Sequence, residues 1–196
     1  MSGLPSTAPI VQEARRVAAD AHQGQRRKAN EMPYLDHVSA VAEILAERGL
    51  DDEVVAAALL HDVVEHSEVT VAEVRARFGD RVGDLVEAMT DRSEIEDWEQ
   101  RKDEHRVRIR AAGRDAAAIY GADKLVGTRE ARDGYAELEE AVESRLGTSL
   151  DLRERTWRRD VEMLRTFSPP VALADELEVE LEYLRGDRVA SSPSGT

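Results

Sequence analysis

The chain has 196 residues, 41% of them hydrophobic and 35% charged, with a formal net charge of −14 and no cysteine. It can build one globular core, but no disulfide, zinc–thiolate site or cysteine nucleophile. So acidic a surface repels nucleic-acid backbones and anionic membranes, and a small anionic substrate fits only a pocket that gathers positive charge locally. Aromatic residues make up only 4%, which favours helices packed through Ala, Val and Leu over a β-sandwich.

Taken in chain order, Met1–Pro9 has no apolar stretch of the signal-peptide kind. Ile10, Ala14, Val17, Ala18 and Ala21 form a stripe at helical spacing, and Val38, Val41, Ala42 and Leu45 a second one stopped by Gly49. Asp51–Glu65 is expected as one helix, acidic at its N-terminus and apolar throughout its middle, hence the most buried. Its run Val54–Leu60 is the longest uninterrupted apolar stretch and far too short to span a membrane. Thr70 with Glu73 has the pattern of a capping box, closed by Gly79, and Val82, Leu85, Val86 and Met89 mark a further short helix.

Glu94–Ala111 is expected as a longer charged helix ending near Gly113. Asp115 is expected to cap the next, which carries Ala116–Val126 and continues towards Val142. Ser149 starts a helix with Leu152, Trp157, Val161 and Leu164 on its inner face; Pro169 and Pro170 punctuate it, and Val171–Leu184 is the last. The expected fold is all-α, an orthogonal bundle forming one domain over 1–196. Its core lies at about 10–130, a helical extension at about 145–186, and a disordered tail at 187–196.

Chemistry concentrates around His61-Asp62, which directly follows the apolar run Ala56–Leu60. Burying an ionisable pair there requires a partner: either a divalent cation, which imidazole and carboxylate suit, or a buried ion pair. Adjacent helical residues diverge by about 100°, so one ion serves both only if it lies between their directions. Residues four apart share a face. Glu65 would therefore stand beside His61, placed to orient or deprotonate an attacking water, and His66 beside Asp62. His37, in the preceding helix, and Asp123, in the apolar stretch Ile119–Val126, are the remaining ligand candidates. Lys124 either reaches substrate or extends outward.

The ordered set resembles the HD superfamily, and within it the RelA/SpoT-type hydrolase domain and the small alarmone hydrolases. The matching stretches are Ala21–Lys28, Pro33–His37, Ala56–Glu65 and Ala122–Leu125, with Phe78-Gly79 and Thr90-Asp91 in order between them. The resemblance covers about residues 10–130. It implies Mn2+, or another divalent transition metal, held by His37, His61, Asp62 and Asp123. It implies removal of the 3′-pyrophosphate of ppGpp and pppGpp, with Glu65 helping to activate water, and nucleotide contacts from Arg26, Arg27 and Lys28. Read alone, that basic triplet is more readily a solvated turn than a substrate site.

The chain departs from the family's pattern at His66, where an Asp is usual, and at Gly127, where an Asn is usual. His66 can still accept a proton near neutral pH. Gly127 cannot hydrogen-bond a sugar hydroxyl. Three readings follow: an alarmone hydrolase, an HD phosphohydrolase for another nucleotide or phosphorylated metabolite, and a non-catalytic HD module that binds a nucleotide or a protein through the acidic stretch Asp175–Glu182. The absence of cysteine fits a reducing cytoplasm. No nucleic-acid or membrane partner is expected, and homo-oligomerisation stays open.

Overall fold

A helix with no polar face must be covered on every side, and the fold is arranged around one. Val54 to Leu60 are each no more than 1% exposed. The computed structural model describes residues 8–138, 141–169 and 171–191. Among these the elements are α1 (Pro9–Ala21), α2 (Tyr34–Glu47), α3 (Asp52–Leu60), α4 (Val63–His66), α5 (Val71–Phe78) and α6 (Asp80–Met89). They continue with α7 (Trp98–Ala112), α8 (Arg114–Leu138), α9 (Ala141–Leu146), α10 (Leu150–Arg165) and α11 (Leu173–Ser191). The architecture is all-α; one isolated bridge between Arg26 and Pro33 is the only β pairing recorded among the described residues. Helix α3 is enclosed by α1, α2, α6 and α8, and the long α8 is covered on its other side by α10 and α11.

Several start signals act where the sequence places them. Asp51 accepts from the Glu53 and Val54 amides, both at 3.1 Å, ahead of α3. The Thr70–Glu73 capping box is complete, and Ser149 accepts from the Leu152 amide at 3.2 Å. Other boundaries differ. Helix α7 starts at Trp98, not Glu94, because Asp97 caps it through the Gln100 amide at 2.8 Å. Helix α8 starts at Arg114, directly after Gly113, so Asp115 lies inside its first turn and instead receives Arg81 at 2.8 Å. It ends at Leu138, short of Val142, which belongs to α9. Helix α11 continues to Ser191, beyond both Leu184 and the expected start of the tail. The remainder of that tail, Pro170 and the first seven residues lie outside the described residues.

The difference that matters for function is that Asp51–Glu65 is not one helix. Helix α3 ends at Leu60, and His61 and Asp62 form the turn into α4. His61 keeps helical angles (φ −58°, ψ −30°), whereas Asp62 sits at φ −103°, ψ −4°, near the bridge between the helical and extended regions. In a straight helix the two side chains would diverge by about 100°. With the helix broken there, His61 Nε2 and Asp62 Oδ2 come within 3.4 Å of each other.

Candidate metal centre and cleft

Three elements bring histidine and carboxylate side chains to one corner. His37 comes from α2, His61 and Asp62 from the α3–α4 turn, and Asp123 from the middle of α8. His37 and His61 are each 1% exposed. The His37 Nε2 lies 3.3 Å from Asp123 Oδ1, and the His61 Nε2 lies 3.8 Å from the same oxygen and 3.4 Å from Asp62 Oδ2. One ligand atom each from His37, His61 and Asp123 lies within 4.8 Å of the others.

The tautomers follow from the partners. His61 Nδ1 donates to the Ala58 carbonyl at 2.7 Å, and His37 Nδ1 donates to Glu130 Oε1 at 2.8 Å. A carbonyl and a carboxylate can only accept, so both Nδ1 atoms carry hydrogen. Both Nε2 atoms face the corner and have no hydrogen-bond partner among the described residues. A buried Nε2 left in this way calls for a positive partner beside the carboxylates, either a proton or a cation. Burial alone would lower the His61 pKa, but the Asp62 and Asp123 carboxylates outweigh it and raise the value to about 9. The corner therefore attracts a cation to Nε2. Two neutral imidazoles and two carboxylates suit a divalent transition metal, so the residues present fit the ion that the sequence leads one to expect.

A surrounding layer braces these groups. Arg27 donates from Nε to Glu130 Oε2 at 2.8 Å and from Nη1 to the Tyr34 hydroxyl at 2.9 Å, and Tyr34 donates to Asp62 Oδ2 at 2.7 Å. Arg27 reaches Glu130 because the chain at Ala29 runs directly over α8. A Cβ at Gly134 would meet the Ala29 carbonyl oxygen at 2.3 Å. Of the basic triplet, Arg27 is thus committed to the brace and Arg26 holds its own turn through the Glu31 carbonyl at 2.6 Å. Lys28 is exposed. Lys124 donates to Asp123 Oδ2 at 2.6 Å.

Glu65 and His66 stand exposed at the rim, with Asp62, Glu65 and His66 forming a second group of ligand-type atoms within 4.8 Å. Glu65 Oε1 accepts from the Asp91 amide at 2.6 Å. The protein behind Glu65 and the Asp62 carboxylate lift its pKa to about 7, while partial burial lowers that of His66. The broken helix separates these two from the positions a straight helix would impose.

The corner opens into a cleft of about 670 Å³. Its lining includes Arg26, Arg27 and Lys28 from the loop after α1, Arg101 and Lys102 from α7, Lys124 from α8 and Arg153 from α10, against the acids Asp91, Asp123 and Glu130. A chain of net charge −14 thus gathers positive charge at one place. Arg153 stands out: its Nη2 donates to the Leu146 carbonyl at 2.9 Å, but its Nε has no hydrogen-bond partner among the described residues, and burial with nearby Arg27 pulls its pKa down to about 10. The guanidinium lies 5.8 Å from the Trp98 ring.

Sequence reasoning singled out neither Glu130 nor Arg101, Lys102, Arg153. Glu130 had a signal: it lies seven residues after Asp123, two turns along the same face of α8. The three basic residues had none, because nothing in a charged helix marks which cation faces a cleft.

The described helices include none long and apolar enough to cross a membrane. The HD domain family profile matches residues 14–141. The chain is 35% identical over 144 residues to the guanosine-3′,5′-bis(diphosphate) 3′-pyrophosphohydrolase MESH1 of Xenopus tropicalis, covering 68% of this chain and 78% of that protein. It is 39% identical over 119 residues to the Aquifex aeolicus protein of the same activity name, covering 61% of this chain but only 17% of that much longer relative. Among solved structures, one described as a metazoan ortholog of SpoT that hydrolyses ppGpp superposes with a TM-score of 0.69 at 27% identity, covering 93% of this chain and 97% of that one. Fold and corner together define a helical domain built around a histidine–aspartate centre. The chain belongs to the HD-domain family.

Proposed function

We propose that this HD-domain protein is a metal-dependent phosphohydrolase that cleaves the 3′-pyrophosphate from guanosine-3′,5′-bis(diphosphate) and its triphosphate analogue. The observation that carries the reading is the pair of buried Nε2 atoms of His37 and His61, without hydrogen-bond partners among the described residues, beside Asp62 and the Asp123 that lines a basic cleft. Its relatives' names support the substrate.

His37, His61, Asp62 and Asp123 would hold the ion, manganese being the expected metal. When bound, a divalent cation lowers the pKa of water and offsets phosphoryl charge. The remaining work falls to side chains. Glu130 fixes the His37 tautomer and ring orientation. Tyr34 keeps Asp62 turned inward. Glu65, with a pKa of about 7, takes a proton from the attacking water near neutral pH, and His66 on the same rim is a second group able to carry one. Water oxygen attacks the phosphorus bonded to the 3′ oxygen. The P–O3′ bond breaks, the water oxygen leaves in pyrophosphate, and the nucleoside 3′ oxygen leaves as a hydroxyl. Arg101, Lys102, Lys124, Lys28 and Arg153 line the space for the anionic nucleotide. The setting implied is the cytoplasm, where such nucleotides occur.

A second reading, hydrolysis of a different phosphorylated metabolite by the same centre, is favoured by one feature. A Cβ at Gly127 would meet no atom within 4 Å, so the cleft is open and unreactive where a polar side chain could read a sugar. Ion chromatography of manganese-supplemented protein offered ppGpp, with His61→Ala as control, tests both. GDP and pyrophosphate released by the wild type alone is the expected result. No release from a metal-loaded protein would transfer the proposal to the second reading.

A further inference from the structure

The HD-domain match ends at residue 141, and α10 lies beyond it. Even so, one side chain of α10 reaches the metal corner through two intermediaries. Asp160 is 1% exposed. Its Oδ1 accepts from the Tyr120 hydroxyl at 2.9 Å and from Arg106 Nη1 at 2.7 Å, and its Oδ2 has no hydrogen-bond partner among the described residues. Tyr120 is wholly buried. The Lys124 Nζ lies 4.6 Å from the centroid of its ring, one turn further along α8, and donates to Asp123 Oδ2 at 2.6 Å. That leaves Asp123 Oδ1 facing His37 Nε2 at 3.3 Å and His61 Nε2 at 3.8 Å.

We propose that Asp160 is a positioning residue for the metal corner: through Tyr120 it holds Lys124 on Asp123 Oδ2 and so keeps Asp123 Oδ1 turned toward His37 and His61. The inference rests on the reading that these residues hold a divalent cation. A carboxylate has two oxygens, and something must assign one to Lys124 and the other to the ion. A phenol that donates to a buried carboxylate has its ring fixed in orientation and enriched in electron density, and both strengthen its hold on an ammonium group. If Asp160 served only to join α10 to α7 through Arg106, an apolar pair would join them without burying a carboxylate that has an unpartnered oxygen. Groups that orient a metal ligand from behind typically change metal affinity by about 10–100-fold.

The test titrates metal-free, full-length protein with Mn2+ well below its unfolding temperature, reading free ion from its electron paramagnetic resonance signal. Asp160→Asn and Tyr120→Phe should each weaken manganese binding by about 10-fold or more. The comparison variant is Val161→Ala, a buried neighbour on α10 at 3% exposure. It should lower the unfolding temperature and leave manganese affinity at the wild-type value, because a purely structural contribution of α10 acts on folding alone. Tyr120→Phe keeps ring and volume, so it decides the matter even if Asp160→Asn does not fold. Wild-type affinity in folded Tyr120→Phe and in any folded Asp160→Asn would overturn the proposal and leave Asp160 as a joint between helices. A wild-type protein that takes up no manganese would overturn the metal reading itself, and this inference with it.

Discussion

The two walls of the cleft are built on opposite plans. The metal wall comes from α2, the α3–α4 turn and α8. Its histidines are buried, and each of its charges has a specific neighbour, down to the brace of Arg27, Tyr34 and Glu130. The basic wall comes from the loop after α1, α7 and α10, is more open, and carries cations with contacts to spare, of which Arg153 is the clearest. A wall whose members depend on one another tolerates no loss, whereas a wall of loosely paired cations can lose one member and be weakened by degrees. On the proposed reading one wall carries the chemistry and the other holds the substrate, and variants on each side put that contrast to the test.

The largest effect is expected from Asp62→Ala. It removes one of the proposed ligands and leaves the Tyr34 hydroxyl without its acceptor. Metal uptake should be lost and turnover should fall by at least about 10³-fold, as read by metal analysis and pyrophosphate release; full metal occupancy in this variant would place the ion elsewhere. Next, Glu65→Gln should keep the metal while turnover falls by about 10²–10⁴-fold. Unchanged turnover would remove Glu65 from proton transfer.

On the other wall, Arg153→Ala should raise KM by about 10–100-fold and leave kcat nearly unchanged, the loss of one charged hydrogen bond being about 1.5–3 kcal/mol. A fall in kcat at constant KM would erase the distinction between the walls.

Asp91 links the two. Its amide holds Glu65, and its carboxylate is held by Lys102 and by His105 at 2.8 Å, with Arg101 at 3.6 Å. Burial works to raise its pKa, but the close approach of His105 and the Lys102 ammonium hold it well below the usual carboxylate value. A depressed folded-state pKa contributes stability above the unfolded value of about 3.9, and that contribution is lost as pH falls further. The difference in unfolding temperature between wild type and Asp91→Asn should therefore be largest near pH 6 and shrink towards pH 3; a constant difference would show that the charge of Asp91 is not what matters. The smallest effect is expected at Gly127, a helical glycine with open space around a built Cβ. Gly127→Ala should stabilise the fold by about 0.5–1 kcal/mol in thermal unfolding, and a loss of stability would mean that the space is not open.

Much of the fold was legible because helix signals are local. Periodic stripes placed α1, α2 and α6, and Asp51, Thr70 with Glu73, and Ser149 cap helices where they stand in the sequence. Asp97 gives no distinct cap signal because it stands inside the charged run that begins at Glu94. The break after Leu60 was overlooked because the apolar pattern runs through His61-Asp62 without a glycine or proline to mark it. For the candidate site, the residue types and their order single out His37, His61, Asp62 and Asp123 as ligand candidates; the structure places His37, His61 and Asp123 together, with Asp62 beside His61.

By itself, then, the amino-acid sequence determined an all-helical domain, its most buried helix and the side chains capable of holding a cation. These follow from patterns written over a few turns of chain and from the chemistry of each residue. Only the tertiary structure decided which carboxylate meets which histidine, which cations face the cleft, and that α10 reaches the centre at all. His37 and Glu130 are 93 residues apart, and Arg106 and Asp160 are 54 apart. No local period or cap relates residues so distant; their pairing is set by how α2, α7, α8 and α10 pack, and that packing answers to the burial of the whole core.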